Sequence, residues 1–207
     1  MSTETIDPAQ GLDQEIHRQL FDRRTLLLGE ALEERNSNRL CAALLLLADA
    51  DPRADIRLLI NSVGGSVPGM LAIRDCMRVI PNDVVTVNLG MAYSAGQFLL
   101  SSGTRGRRLA LPHSKVLLHQ GSAGIGGTAM DIAIQADDLR LTRDTVLGCI
   151  AEDTGQPVAR VEEDSRRDRW FSAQEAMDYG FVDAIVSSLG EVMPDRTSSI
   201  GLGGGAR

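Results

Sequence analysis

Short apolar runs alternating with helical patterns constrain this chain more than any other feature of its sequence. Thr25 to Gly29 (TLLLG), Ile56 to Ile60 (IRLLI), Val84 to Asn88 (VVTVN) and Lys115 to His119 (KVLLH) have the length and near-continuous apolar character of buried strands. Between and after them, Asn38 to Ala50, Ser66 to Ile80, Ser94 to Gly103 and the long Thr128 to Asp153 carry helical patterns. A parallel neighbour needs a crossover, and a helix supplies one while covering the sheet. The alternation therefore predicts an α/β fold with a mainly parallel sheet, crossover helices and right-handed connections.

The ends of the chain read differently. Residues 1–11 are polar and are expected to form a mobile arm, while Leu12, Leu20 and Ile16 fall at helical spacing. Ser172-Ala-Gln-Glu175 is a capping box that opens a short helix stopping at Gly180, with strand-like Phe181 to Val186 after it. Residues 191–207, ending Gly-Leu-Gly-Gly-Gly-Ala-Arg, hold too little apolar surface to pack and are expected to be a disordered tail. That leaves 12–190 as one domain, which suits a chain of 207 residues.

Charge and cysteine usage exclude several functions. The net charge is −7 and no run of Lys and Arg exceeds two residues, so a nucleic-acid partner is not expected. Cys41, Cys76 and Cys149 are odd in number, widely spaced and set in apolar helical contexts, which predicts buried free thiols. The start of the chain lacks the basic-then-apolar pattern of a secretory leader, and no apolar run reaches membrane-spanning length. The expected setting is the cytoplasm, with no membrane partner. Neither paired histidines nor Cys-x-x-Cys is present, so no metal site is expected.

Four segments carry residues suited to chemistry. Asn61-Ser-Val-Gly-Gly-Ser-Val67 follows an apolar strand, and its glycines permit close backbone approach; such a turn either offers amides to an oxyanion or is only a turn. Gly90-Met-Ala-Tyr-Ser94-Ala-Gly96 reads as strand, tight small-residue turn and apolar helix. Ser94 there is either a helix cap or a nucleophile near a helix dipole. His119 finishes a buried strand, at the sheet edge where clefts form, and is the candidate base for a serine. Arg166-Arg-Asp168-Arg-Trp170 sets a carboxylate among arginines, either as a solvated ion-pair cluster or as the partner of a histidine. The residues alone do not separate Asp168 from Asp164 or Asp183.

Together the segments resemble ClpP, the proteolytic subunit family of the ATP-dependent Clp protease, from about Thr25 to Val186. That family shows Asn-Ser-Pro-Gly-Gly, Gly-Met-Ala-Ala-Ser-Met-Gly, Leu-Pro-Asn-Ser with His-Gln after it, Asp-Arg-Asp and Tyr-Gly-Leu-Val-Asp in order. The counterparts here are Asn61 to Gly65, Gly90 to Gly96, Leu111 to Ser114 with His119-Gln120, Arg166 to Asp168, and Tyr179 to Asp183. Several ordered matches are far more specific than one.

The resemblance implies a crotonase-like fold whose long helix forms a protruding handle. It implies a serine endopeptidase with Ser94 as nucleophile, His119 as general base and Asp168 orienting the imidazole. The amides of Gly65 and Ala95 would form the oxyanion hole, and Gly64, Ser66, Gln120, Gly121 and Ser122 would bind substrate. It also implies two stacked seven-membered rings built from this chain or from it and a second ClpP paralogue, fed with unfolded polypeptide by a hexameric Clp ATPase. No cofactor is implied, because ATP is used by that ATPase.

Departures qualify the match. Val63 stands for the usual Pro, Tyr93 for Ala, Ala95 for Met and Gly121 for Pro; Tyr93 is expected to reshape the pocket. Arg166 precedes Arg167 where the family commonly has an acid, so two facing copies would repel unless a partner supplied a carboxylate. Arg57 and Leu59 occupy positions where ATPase-docking members show tyrosines. The alternative reading is accordingly a catalytically weak or regulatory paralogue that completes a mixed ring pair.

Overall fold

A computed structural model describes residues 8–121 and 124–193, and helices and strands alternate through most of them. In chain order the elements are α1 (Pro8–Asp22), β1 (Thr25–Leu28), α2 (Glu34–Ala50), β2 (Ile56–Ser62), α3 (Val67–Val79) and β3 (Val84–Tyr93). They continue with α4 (Ala95–Ser101), β4 (Arg108–Ala110), β5 (Lys115–Leu118), α5 (Ala129–Thr154) and α6 (Val158–Ser165). The last are β6 (Arg169–Ser172), α7 (Ala173–Tyr179), β7 (Ala184–Ile185) and α8 (Leu189–Val192).

The sheet has seven strands in the order β1-β2-β3-β4-β7, with β5 and β6 branching from β3. Every pairing is parallel except β5 with β6. The branch is possible because β3 is ten residues long: Thr86–Asn88 pairs β4, and Met91–Tyr93 pairs β5. Ile56, Leu58 and Ile60 of β2 bury one face against Leu44, Ile73, Phe98 and Leu118. Each such side chain contributes about 1.5–3 kcal/mol on burial. The opposite face carries a smaller cluster of Leu59, Val85 and Val87.

The alternating elements and mainly parallel sheet are the α/β architecture that the sequence predicts, and particular differences have local causes. Gly90 to Ala92 continue β3 and are not a turn, because Met91 and Ala92 find partners on β5. β6 and α6 are absent from the sequence expectations, β6 because it is only four residues long and α6 because it is short and charged. The first helix begins at Pro8, inside the segment 1–11 expected to be an arm, and α8 with its Ser188–Glu191 capping box reaches into 191–207. Residues 1–7 and 194–207 of those two segments lie outside the described residues. The three cysteines are free but half-buried, on the edges of the core rather than within it. Burial and the neighbouring Cys76 push the Cys41 thiol up to about 12.

α5 is capped by Thr128, which accepts from the Asp131 amide while Asp131 accepts from the Thr128 amide. Its buried residues are Leu147, Ile150, Ala151 and Asp153 alone, so the first half of this 26-residue helix stands clear of the core. That is the protruding helix implied by the family resemblance. No helix among the described residues is long and apolar enough to cross a membrane.

Candidate active site

Three strand ends meet at one edge of the sheet. Ala92 of β3 is level with Ser62 of β2, and Tyr93 is level with Leu117 of β5. The chain therefore leaves β2 through Val63–Gly65, β3 through Ser94 and β5 through His119 at adjacent points on the carboxyl edge, where ligands bind in open α/β sheets. The Ser94 amide donates to Leu117 O at 3.0 Å, fixing the exit of β3 on β5.

Ser94 has φ 54° and ψ −115°, a backbone conformation that costs a side-chain-bearing residue about 1–3 kcal/mol. Among the described residues only Arg24 shares a positive φ without being glycine. The Ser94 hydroxyl makes no capping hydrogen bond to α4. The helix-cap reading therefore fails, and a serine on a strained strand-to-helix turn is the geometry of a nucleophile elbow.

The glycine turn is held against it. A Cβ on Gly64 would stand 2.6 Å from Tyr93 O, 2.7 Å from Ser94 Cβ and 3.0 Å from the Ala95 nitrogen, so only glycine brings these two turns so close. Leu32 anchors the turn from the other side: its amide donates to Gly64 O at 2.8 Å, and its carbonyl accepts from Ser66 N at 2.8 Å. The Gly65 amide is left without an acceptor among the described residues. Ala95, as the first residue of α4, has no intrahelical acceptor for its own amide.

His119 meets Asp168 by register. β5 and β6 pair antiparallel with Leu118 opposite Arg169, and one step further places His119 opposite Asp168. His119 Nδ1 lies 3.1 Å from Asp168 Oδ1. The other two aspartates are engaged elsewhere. Asp164 accepts from Tyr179 Oη at 3.0 Å and pairs with Arg169. Asp183 pairs with Arg108; burial pushes its carboxyl up, but the hydrogen bonds from Arg108 and Gly106 outweigh this and hold it below the usual carboxylate range.

Ser94 and His119 line one cleft of about 390 Å³ together with Gly65, Ala95, Gln120 and Gly121. No hydrogen bond joins Ser94 to His119; contacts of this kind are often long before substrate binds. The Gln120 amide donates to Ser165 O at 2.7 Å, tying the strand exit to α6. The far wall is the first exposed half of α5 running into its buried end, with Leu139, Arg140, Thr142 and Val146.

Several expected residues take other positions. Tyr93 does not line the cleft: strand alternation turns it to the opposite face, where its ring meets Trp170 edge-on at 4.9 Å. Ser66 caps α3 by accepting from Gly69 N at 3.1 Å. Gly64 backs the site from behind Ser94, and Ser122 lies outside the described residues. Arg166 is paired within its own chain, to Glu163 at 2.7 Å, so its charge is already offset locally; Arg167 has no such partner among the described residues. The sequence reading missed Gln97 and the α5 wall. Gln97 was legible as a lone polar residue in Ala-Gly-Gln-Phe-Leu-Leu, whereas the wall is brought in by tertiary packing alone.

A strained serine, a histidine–aspartate pair and two free amides at one strand edge define the class of site used in acyl transfer. The Clp protease family model matches residues 9–189, and the chain belongs to that family of peptidases. It is similar to ATP-dependent Clp protease proteolytic subunit 3 of Streptomyces coelicolor, with 53% identity over 190 residues covering 92% of this chain and 88% of that one. The subunit 3 protein of Rhodococcus jostii is 54% identical over 179 residues, 86% of this chain and 89% of its own length. Subunit 2 of Corynebacterium glutamicum is 49% identical over 177 residues, 86% of this chain and 88% of that protein.

Proposed function

We propose that this peptidase cuts unfolded polypeptides as a serine endopeptidase, with Ser94, His119 and Asp168 acting in sequence. The observation that carries the reading is Ser94 at φ 54°, facing the same cleft as the His119–Asp168 pair. His119 takes the Ser94 proton as Oγ attacks the scissile carbonyl, and Asp168 steadies the imidazolium that forms. The oxyanion is received by the amides of Gly65 and Ala95. The C–N bond then breaks, and His119 returns the proton to the leaving amine. Water, deprotonated by His119, hydrolyses the resulting ester and restores Ser94. Gln120 and Gly121 offer the strand exit on which substrate backbone can lie as an added strand.

The assembly follows from the family: stacked rings of this chain or of this chain with a second ClpP subunit, supplied by a Clp ATPase that consumes the ATP. The curated relatives carry several subunit numbers, which supports a mixed assembly. Arg57 and Leu59 support docking of the ATPase on the partner ring, because they stand where ATPase-docking members of the family show tyrosines.

The test is labelling by an active-site serine phosphonate, alone and mixed with a second ClpP subunit. Modification mapped to Ser94 is expected. No modification in any assembly would overturn the reading. Full turnover in a mixed complex carrying Ser94→Ala would instead assign this chain the regulatory role.

A further inference from the structure

The cleft beside Ser94 contains a buried side-chain amide that the proposed reaction does not use. Gln97 is 1% exposed, lies three residues after Ser94 on α4, and lines the cleft among the apolar side chains of Met70, Phe98, Leu118 and Val146. A carboxamide has two N–H donors and a carbonyl that accepts two hydrogen bonds. Here Nε2 donates once, to Ser101 Oγ at 3.2 Å. The Ser101 hydroxyl spends its own proton on the backbone carbonyls of Gln97 and Phe98, so it can only accept from Gln97, and this fixes which end of the amide faces it. No described residue donates to Gln97 Oε1. One N–H and one carbonyl oxygen are therefore unspent in a largely apolar cavity, where an unmade hydrogen bond is costly.

We propose that Gln97 is a specificity-determining residue, and that the cleft selects an acyl-side residue, the one whose carbonyl Ser94 attacks, bearing a carboxamide. The inference rests on the proposed role of Ser94. A primary carboxamide supplies one acceptor and one donor side by side, which is the complement of what Gln97 has left. An acidic side chain fits less well, because the two arginines at the rim are already engaged, Arg140 with Asp137 and Arg143 with Asp144 at 2.7 Å. A plain apolar side chain of the same length fills the space but leaves the buried amide unmatched, and sites built to hydrogen-bond discriminate against such isosteres.

The experiment uses two peptidyl diphenyl phosphonates that differ only at the acyl-side residue, a glutamine analogue and its near-isostere with a methionine side chain. Their second-order rates of Ser94 modification are read by intact mass on the full chain in its assembled form. The glutamine reagent is expected to react about tenfold faster with the unaltered protein, the scale of one to two net hydrogen bonds. In Gln97→Leu the ratio should fall to unity or reverse. Equal rates with the unaltered protein, or a preference unmoved by Gln97→Leu, would overturn this inference while leaving Ser94 as nucleophile. If neither reagent modifies Ser94 in any assembly, the reading of Ser94 fails and the inference falls with it. The comparison on the unaltered protein needs no variant to fold.

Discussion

Two glycine-rich segments beside the catalytic edge, the turn after β2 and the stretch after β5, are built on opposite principles. In the first, a Cβ at Gly65 would lie 2.0 Å from Leu32 O, and one at Gly64 would strike Tyr93 O and Ser94. In the second, a Cβ at Gly121, Gly124 or Gly126 would meet nothing within 4 Å. The first pair exists so that backbone can touch backbone; the second set has open space around it. Chemistry that needs fixed distances belongs beside the first segment, and a surface that must receive varied chains belongs on the second.

The contrast can be tested by steps of decreasing size. Asp168→Asn acts on the chemistry that the rigid segment serves: it removes the charge beside His119 and should lower kcat by roughly 10⁴. Because Asp168 is 61% exposed, the melting temperature should stay nearly unchanged. A comparable loss of fold stability would mean that the pair is structural. Gly65→Ala should cost about 3 kcal/mol or more, from the clash with Leu32 and the φ of 148°, measured by denaturant unfolding. Ser94→Gly, followed in the same way, should gain about 1 kcal/mol as the positive φ is relieved, while phosphonate labelling disappears. Gly126→Ala should change stability by less than about 0.5 kcal/mol. A large effect there would show that the second segment is packed after all.

The sequence was informative wherever one element decides the outcome. TLLLG, IRLLI, VVTVN and KVLLH are strands because their apolar content needs two covering layers, and Ser172 with Glu175 caps α7 through a purely local exchange of hydrogen bonds. The choice among Asp164, Asp168 and Asp183 was not legible, since it depends on the β5–β6 register and on the claims Tyr179 and Arg108 make on the other two. The orientation of Tyr93 was equally hidden. Its neighbour Ser94 reaches the cleft, but strand alternation sends the preceding ring to the opposite face, against Trp170. Gln97 was visible as a letter, while its unspent hydrogen bonds became visible only with Ser101 beside it.

The Tyr93–Trp170 contact has a spectroscopic consequence. Trp170 is the single tryptophan of the chain, 51% exposed, two residues from Asp168 and edge-on to the ring that precedes Ser94. Excited selectively, it reports from the edge that carries the serine, histidine and aspartate and from nowhere else in the molecule. A red shift in its emission would signal separation of that edge without any attached dye, so opening or closing of the site can be followed in the unlabelled protein.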